Sequence, residues 1–208
     1  AATLDIECIC PLHGPVLKEN LGYYIGLYDT WSSYGVETEG IFIAYASIHG
    51  GTAAVANRLA EILRAKGAPK VSVADLSRDD MAEAIEDAFR MDKMIVAAAS
   101  YDGGVFPVMH DFLHHLKIKN FQNRRVGIIE NGSWAPLATK VMRDMLKGCK
   151  NLTYTNATVS IKSAMNDANR EQIADMADEL CREYIAQAGD KANKQDLTAL
   201  YKIGYGLY

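Results

Sequence analysis

The sequence predicts an α/β fold in which a five-stranded parallel sheet is covered by helices on both faces. Short apolar runs alternate with longer amphipathic stretches, and five such pairs follow one another between residues 41 and 188. Strands that are apolar almost throughout are typical of parallel sheets, because the connecting helices cover both faces. The chain has 208 residues, of which 49% are hydrophobic, so it can bury the core that such a sheet requires.

The predicted strands are the five apolar runs. The first, IFIAYA, and the third, KMIVAAA, are almost uninterrupted, as expected of strands in the middle of a covered sheet. The five strands are predicted at residues 41–46, 70–75, 93–99, 124–130 and 152–161.

Each predicted strand is followed by a stretch with apolar residues at helical spacing. Thr52 is suited to cap the first of these helices, and Pro107 fits the first turn of the third. The five helices are predicted at residues 52–66, 79–91, 107–118, 136–148 and 167–188.

The loop between the first strand and the first helix has the composition of a phosphate-binding loop. Gly50 and Gly51 allow a ligand to approach the backbone, while Ser47 and Thr52 supply hydroxyl groups beside the N-terminus of a helix. The loop lacks the Gly-Lys-Ser/Thr ending of nucleoside triphosphatases and the G-x-G-x-x-G spacing of dinucleotide sites. It therefore fits a single phosphate monoester. The alternative is a tight turn that Thr52 merely caps.

Two further loops are predicted to lie beside this one, because ligands of parallel sheets bind beyond the carboxyl ends of the strands. The loop after the third strand contains Tyr101 and the loop after the fourth contains Trp134. Two aromatic side chains can flank a planar ring while the first loop holds its phosphate. The ligand that combines a monophosphate with a large planar ring and needs no metal is FMN. Taken singly, each aromatic residue is better explained as a support for its turn, and the convergence of three loops on one ligand shape favours the FMN interpretation.

The composition disfavours several classes of protein. The net charge is −4 and the 22 basic residues are dispersed, which disfavours nucleic-acid binding. We find no apolar run that approaches the ~18 residues of a membrane span, and no signal peptide, so we expect a cytoplasmic protein with no membrane partner. The four cysteines include one Cys-x-Cys pair, Cys8 and Cys10, but not the second pair that a zinc site needs, and they are expected to be free thiols.

The two ends of the sequence differ in composition from the middle. Residues 1–38 contain the aromatic segment GYYIGLYDTW, and GDKANKQD at 189–196 has the composition of a linker. The chain starts without Met and stops within the apolar segment LYKIGYGLY. We therefore expect residues 1–38 to be the end of a preceding module with its connector, and a further module to follow the linker.

The three loops together resemble the FMN-binding loops of flavodoxins and, more narrowly, those of the flavodoxin domain of flavodiiron proteins. The resemblance implies a flavodoxin-like, doubly wound sheet with strand order 2-1-3-4-5. Gly51 departs from the pattern, since it stands where the family often has Asn. The cofactor-binding residues implied by the resemblance are Ser47, Ile48, His49, Gly50, Gly51, Thr52, Ser100, Tyr101, Asp102, Gly103, Gly104, Val105, Asn131, Gly132, Ser133 and Trp134.

The flanking segments support the narrower resemblance. CPLHGPV at 10–16 is similar to the end of the metallo-β-lactamase-like diiron domain of flavodiiron proteins. This implies that residues 1–38 are the tail of that domain and a connector, that 39–188 form the FMN-binding domain, and that 189–208 are a linker and the start of a further domain. The final segment, LYKIGYGLY, resembles the opening strand of a flavin-reductase-like domain. His13 would be an iron ligand only in the intact protein, since the other ligands of the family have no counterpart here.

The resemblance also implies a function. In the family, FMN takes electrons from a rubredoxin or a flavin reductase and passes them to the di-iron site of a partner subunit, which reduces dioxygen or nitric oxide. We therefore expect this chain to transfer electrons as part of an oxidoreductase, and homodimerisation is left open. Two alternatives are a stand-alone NAD(P)H:quinone reductase and a receiver-type signalling domain. The latter needs an acidic pair after the first strand, where the chain has Ser-Ile-His.

Overall fold

The structure is a computed structural model that describes residues 4–204, with side chains described through residue 188. The strands are β1 (Thr38–Ala46), β2 (Val71–Asp75), β3 (Met91–Tyr101), β4 (Gly104–Val105), β5 (Arg125–Asn131), β6 (Thr153–Tyr154) and β7 (Val159–Ile161). The helices are α1 (Leu21–Ser32), α2 (Gly51–Ala65), α3 (Met81–Arg90), α4 (Pro107–Ile118), α5 (Ala138–Leu146) and α6 (Asp167–Gly204).

Parallel strands form the main sheet, in the order β2-β1-β3-β5-β6. β6 pairs with the first two residues of β5 and β7 pairs with its last three, so β6 and β7 share one position in the sheet. Since β5 is the predicted fourth strand and β6 with β7 the predicted fifth, the predicted order 2-1-3-4-5 is confirmed. The short β4 lies outside this path and pairs antiparallel with the end of β3.

Helices cover both faces of the sheet, as predicted. Alternate residues of β1 belong to two separate cores: Phe42 and Ala44 pack in the core that includes α3, α4 and α5. Ile41 and Ile43 pack in the core that includes α2 and α6. All four side chains are fully buried. The sheet lies between the two cores, and the loops at the carboxyl ends of β1, β3 and β5 project from one edge.

The predicted fifth strand, residues 152–161, is interrupted in the structure. Between β6 and β7, the N–H groups of Asn156 and Ala157 donate to the carboxylate of Glu179 on α6, at 2.8 and 2.7 Å. Because these groups bond to a helix side chain, the chain leaves the sheet at this point. The prediction of a continuous strand was therefore wrong, and a carboxylate distant in sequence is the reason.

Glu179 is expected to make stability depend on acid pH. Burial opposes its ionisation, but the two N–H groups and the guanidinium of Arg125 outweigh burial and lower the pKa of Glu179 below its ordinary value of 4.5. A carboxyl whose pKa is lowered on folding stabilises the fold above its unfolded pKa and loses that contribution as the pH falls. The free energy of unfolding, measured by urea titration, should therefore fall more steeply between about pH 5 and about pH 3 in the wild type than in Glu179→Gln.

Glu61→Gln is the matched control for this experiment. Glu61 is exposed and pairs with Arg58 on the surface of α2. The stability of Glu61→Gln should therefore depend on acid pH in the same way as that of the wild type. Identical acid sensitivity of the wild type and Glu179→Gln would contradict the role assigned to Glu179.

α1 is a helix that the sequence analysis did not predict. It lies within residues 1–38, the predicted tail and connector, and none of its side chains is buried among the described residues. Tyr23, Tyr28 and Trp31 are all exposed, so the helix has no single apolar stripe that faces a core. Helical periodicity therefore gave no signal here. The assignment of residues 1–38 to a diiron-domain tail stays a prediction.

α6 is longer than predicted. The sequence predicted a helix at 167–188, a linker at 189–196 and the start of a strand beyond it, but the helix continues to Gly204. Ala, Lys and Gln, which are frequent in the predicted linker, have high helix propensity, so polar composition alone did not distinguish a linker from a helix. Residues 205–208, the end of the predicted strand, lie outside the described residues. No helix within residues 4–204 is both long and apolar enough to cross a bilayer.

Candidate functional site

Two adjoining cavities open at the edge of the sheet where the parallel strands end. The larger cavity has a volume of about 450 Å³ and the smaller cavity about 250 Å³, and Ser100 borders both. The loops after β1, β3 and β5 supply most of their walls. The larger cavity is of the size that small organic ligands occupy.

Thirteen of the sixteen predicted ligand residues line these cavities. Of the other three, Gly50 precedes α2, while Gly104 and Val105 form β4. The predicted residues that line the larger cavity are Ser47, Ile48, His49, Gly51, Thr52, Ser100, Asn131, Gly132 and Ser133. Those that line the smaller cavity are Ser100, Tyr101, Asp102, Gly103 and Trp134.

The loop between β1 and α2 presents backbone N–H groups to the larger cavity. α2 begins at Gly51, and Gly50 before it has a φ of 86°, a left-handed conformation that favours glycine. The N–H of Gly50 donates to Ser47 Oγ at 3.1 Å, which closes the loop on itself. No acceptor among the described residues meets the first-turn N–H groups of α2, at residues 51–53. These groups and the helix dipole favour an anion.

Thr52 does not cap α2, so that prediction was wrong. Thr52 lies one residue inside the helix and is 1% exposed. Its Oγ1 accepts a hydrogen bond from Asn131 Nδ2 at 3.4 Å, which links the first loop to the loop after β5. The alternative of a tight turn closed by a threonine cap therefore has no support.

The loop after β3 is a tight β-hairpin. β4 folds back on the last two residues of β3, and the two residues between them have positive φ, 51° at Asp102 and 72° at Gly103. Positive φ at both central residues is characteristic of the type I′ turn, which Asp-Gly favours. Tyr101, 47% exposed, borders the smaller cavity, and Phe106 lies edge-on to its ring at 5.6 Å between centroids. The hairpin thus holds an aromatic ring at the cavity.

The loop after β5 carries the second aromatic residue. Trp134 is 91% exposed and borders the same cavity as Tyr101. The start of α5 is fixed by Ser100, whose Oγ accepts from the N–H groups of Leu137 and Ala138 at 2.9 and 3.1 Å. Ser100 therefore joins the two loops that present the aromatic residues.

A fourth loop, which the sequence analysis did not select, completes the larger cavity. This loop, residues 162–166, follows β7 and contributes Ser163 and Ala164 to the wall. The side-chain amide of Asn131 pairs with the backbone of Ser163: Oδ1 accepts from its N–H at 2.9 Å and Nδ2 donates to its carbonyl at 3.1 Å. No motif marks this loop, but β7 ends at the same edge as the other parallel strands, so the topology contained the signal.

Gly51 is required by the fourth loop. A Cβ at residue 51 would overlap the carbonyl oxygen of Ser163 and would lie 3.0 Å from Asn131 Nδ2. Asn, which the resemblance makes common at this position, would meet the same obstacle. The departure from the family pattern is therefore explained by the close approach of the fourth loop to α2.

The larger cavity contains almost no charged side chain. Among the residues that line it, His49 is the one ionisable group. Glu130, at the end of β5, is engaged elsewhere: its carboxylate accepts from the N–H of Thr139 at 2.9 Å and from Ser160 Oγ at 3.1 Å. A neutral cavity at a helix N-terminus suits one phosphate group better than a polyphosphate with its metal ion.

Metal ligands are not assembled in the described part of the chain. Within residues 4–188, no group of three or more His, Cys, Asp or Glu side chains is arranged to hold a metal ion. His13 is exposed, in the loop between Ile9 and Leu17, whose backbones pair. Its role as an iron ligand of an intact protein stays a prediction.

A further cavity, of about 470 Å³, lies at the opposite edge of the sheet. This opposite-edge cavity is bordered by Trp31, Tyr34 and Phe89, close to the C-terminal ends of α1, α3 and α4. Helix C-termini present carbonyl groups, which disfavour an anion. The helix N-terminus that favours an anion therefore lies at the carboxyl edge and not here.

Comparison with known proteins agrees with this geometry. The family model described as the flavodoxin domain matches residues 42–159. Among curated proteins, the chain is similar to the rubredoxin-oxygen oxidoreductase of Megalodesulfovibrio gigas, with 24% identity over 178 residues, 85% of this chain and 44% of that protein. The chain spans less than half the length of the curated relatives it matches.

Solved structures show the same fold. The flavodiiron protein from Giardia intestinalis is similar with a TM-score of 0.79 and 18% identity, over 89% of this chain and 46% of that one. A flavodoxin from Streptococcus pneumoniae is similar with a TM-score of 0.60 and 22% identity, over 70% of this chain and 99% of that one. The predicted flavodoxin-like fold is confirmed. Since the family model also covers more than half of the sequence, the chain belongs to the flavodoxin-domain family.

Proposed function

We propose that the chain binds FMN at the carboxyl edge of the sheet and uses it to transfer electrons. The observation that carries the proposal is the N-terminus of α2: its N–H groups at 51–53 have no acceptor among the described residues, and Gly51 and Thr52 line a neutral cavity beside two exposed aromatic residues. Membership of the flavodoxin-domain family makes a flavin the expected cofactor. One anion-binding point next to an aromatic cavity fits a planar ring that carries a single phosphate.

The loops have separate roles in the proposed site. The N–H groups at 51–53 and the hydroxyl of Ser47 would hold the phosphate. Tyr101 and Trp134 would flank the ring and shield it from water, and the Ser100 hydrogen bonds keep their two loops in place. FMN, when bound, supplies a ring that accepts one or two electrons. The protein's contribution is to orient that ring and keep it near the surface, where a redox partner can approach.

The similarity to a rubredoxin-oxygen oxidoreductase and to a flavodiiron protein supports a finer proposal. A rubredoxin or a flavin reductase would donate electrons, and the acceptor would be a di-iron site that reduces dioxygen or nitric oxide in the cytoplasm. As the family resemblance implies, that di-iron site would belong to a partner subunit's diiron domain. Residues 1–38 would be the tail of such a domain, 39–188 the FMN-binding domain and 189–208 the beginning of a following one.

The two alternative functions gain no specific support from the site. A receiver-type domain needs carboxylates at its phosphate site, and no Asp or Glu lines the larger cavity. A quinone reductase would use the same flavin site, but it would also oxidise NAD(P)H. Turnover of a quinone with NADPH by the FMN-loaded chain would favour that alternative.

The proposal is tested by loading the chain with FMN and mixing it anaerobically with reduced rubredoxin in a stopped-flow spectrometer. We expect the visible absorption of the bound flavin to bleach and to recover when an oxidised acceptor is added. Failure to take up FMN would overturn the whole proposal. If dithionite reduces the bound flavin but reduced rubredoxin does not, the proposal of a rubredoxin donor is overturned.

The two tryptophans provide a matched test of the aromatic cavity. Trp134→Ala should weaken FMN binding about ten-fold, since stacking on an aromatic side chain contributes roughly 1–3 kcal/mol. Trp31→Ala, at the opposite-edge cavity, should leave the FMN dissociation constant unchanged. If fluorescence titration gives the same constant for the wild type and both variants, Trp134 does not contact the ring.

A further inference from the structure

Two serine hydroxyl groups meet where the fourth loop contacts the loop after β5. Ser133 Oγ and Ser163 Oγ are 3.1 Å apart, and both residues are exposed. Both line the larger cavity together with the start of α2, and neither lines the smaller cavity between Tyr101 and Trp134. The hydroxyl pair, Ser133 and Ser163, therefore lies on the phosphate side of the site rather than on the ring side.

The position of Ser163 is fixed by its contacts with α2 and with Asn131. Its carbonyl oxygen lies so close to Gly51 that a Cβ there would overlap it. A carbonyl oxygen in this place would repel an anion, but Asn131 Nδ2 donates to it at 3.1 Å and so offsets its partial charge. Since the N–H of Ser163 donates to Asn131 Oδ1, both backbone groups of Ser163 have partners. Among the described residues, its hydroxyl contacts Ser133 alone.

The hydroxyl pair has one more donor than it uses. Each serine carries a single O–H, and one of the two suffices for the hydrogen bond between them. The other O–H can donate to an acceptor in the larger cavity. Because the nearby N–H groups at 51–53 are also donors, the acceptor that suits all of them is an oxyanion, which strengthens each hydrogen bond by its charge.

We propose that Ser133 and Ser163, positioned by Asn131, bind the phosphate of the cofactor and let the site distinguish FMN from riboflavin, its unphosphorylated form. This inference rests on the proposed FMN function. It adds the loop after β5 and the fourth loop to the phosphate subsite. It also makes Asn131 a positioning residue, because its amide is occupied by Ser163 and Thr52.

Equilibrium titrations with FMN and with riboflavin test this proposal. Ser133→Ala and Ser163→Gly should each weaken FMN binding about ten-fold, the effect of one hydrogen bond to a charged group, and leave riboflavin binding unchanged. Glycine is chosen at residue 163 because its φ is 68°, and Ser163→Ala serves as the second variant. Ser32→Ala, on the exposed helix α1, is the matched control and should change neither affinity. Circular dichroism verifies that each variant is folded.

Asn131→Asp adds an independent readout. The variant keeps the acceptor for the N–H of Ser163 but removes the amide donor and adds a negative charge. Because the phosphate is also negative, the affinity for FMN should fall more than the affinity for riboflavin.

The outcomes distinguish the inference from the proposed function. If the serine variants lose affinity for FMN and for riboflavin equally, the hydroxyl groups only maintain the loop and the inference is overturned. Unchanged affinities in those variants, or a wild type that binds riboflavin as tightly as FMN, would also overturn it. A wild type that binds neither flavin would overturn the proposed function itself.

Discussion

Replacing Gly51 with alanine is expected to weaken FMN binding by roughly thirty-fold, the equivalent of about 2 kcal/mol of overpacking. The added methyl group would overlap the carbonyl oxygen of Ser163, so either the fourth loop or the first turn of α2 must move. Either movement disturbs the contacts by which Asn131 joins Thr52 on α2 to Ser163 on the fourth loop. Fluorescence titration with FMN measures the loss.

Gly26→Ala is the matched control, because residue 26 also lies in a helix and has no atom within 4 Å of the position of its Cβ. It should leave the FMN affinity unchanged and slightly stabilise α1. Gly51→Asn should be at least as damaging as Gly51→Ala, although the family often has Asn here. Near-wild-type FMN affinity of Gly51→Ala would show that the fourth loop yields and that its contact with α2 does not shape the site.

Replacing Arg124 with methionine is expected to lower the free energy of unfolding by on the order of 3 kcal/mol. Arg124 is 3% exposed, and its guanidinium donates to five backbone carbonyl groups. Those of Tyr34 and Gly35 belong to the segment between α1 and β1, and that of Phe89 lies near the end of α3. Methionine is apolar and of similar length, but it leaves these carbonyl groups without their charged donor.

Urea denaturation of Arg124→Met measures this loss, and two further variants define its cause. Arg124→Lys should lower the free energy of unfolding by an intermediate amount, because one ammonium group cannot donate to all the carbonyl groups that Nη1 and Nη2 reach separately. Arg58→Met, which removes an exposed arginine paired with Glu61, should change the free energy of unfolding by less than about 0.5 kcal/mol. Wild-type stability of Arg124→Met would show that Arg124 does not hold the segment before β1.

The strands and three of the four loops that line the two cavities could be predicted from the sequence because they depend on local patterns, whereas the sheet order was implied by the family resemblance. The helix α4 was predicted over its full range, 107–118, since Pro107 occupies its first turn and Met109, Phe112 and Leu116 recur at helical spacing. Uninterrupted apolar runs located β1 and β3. Parallel topology then brought the loops that follow these strands to one edge.

The remaining features depend on contacts between residues far apart in the sequence. Glu179 interrupts the predicted fifth strand from a helix that follows it, and no local pattern shows that. The fourth loop joins the site through the contact of Asn131 with Ser163, 32 residues apart. The close approach of the Ser163 carbonyl to residue 51 explains why that residue is glycine, which sequence analysis could only note as a departure from the family.

The most direct test of the proposed site is a titration of the purified chain with FMN, followed by the backbone amide signals in two-dimensional NMR spectra. We expect one FMN to bind per chain, with the largest chemical-shift changes at residues 47–53, 100–105, 131–134 and 162–164. No binding, or shift changes confined to the opposite-edge cavity near α1, would contradict the assignment of the FMN site to the carboxyl edge of the sheet.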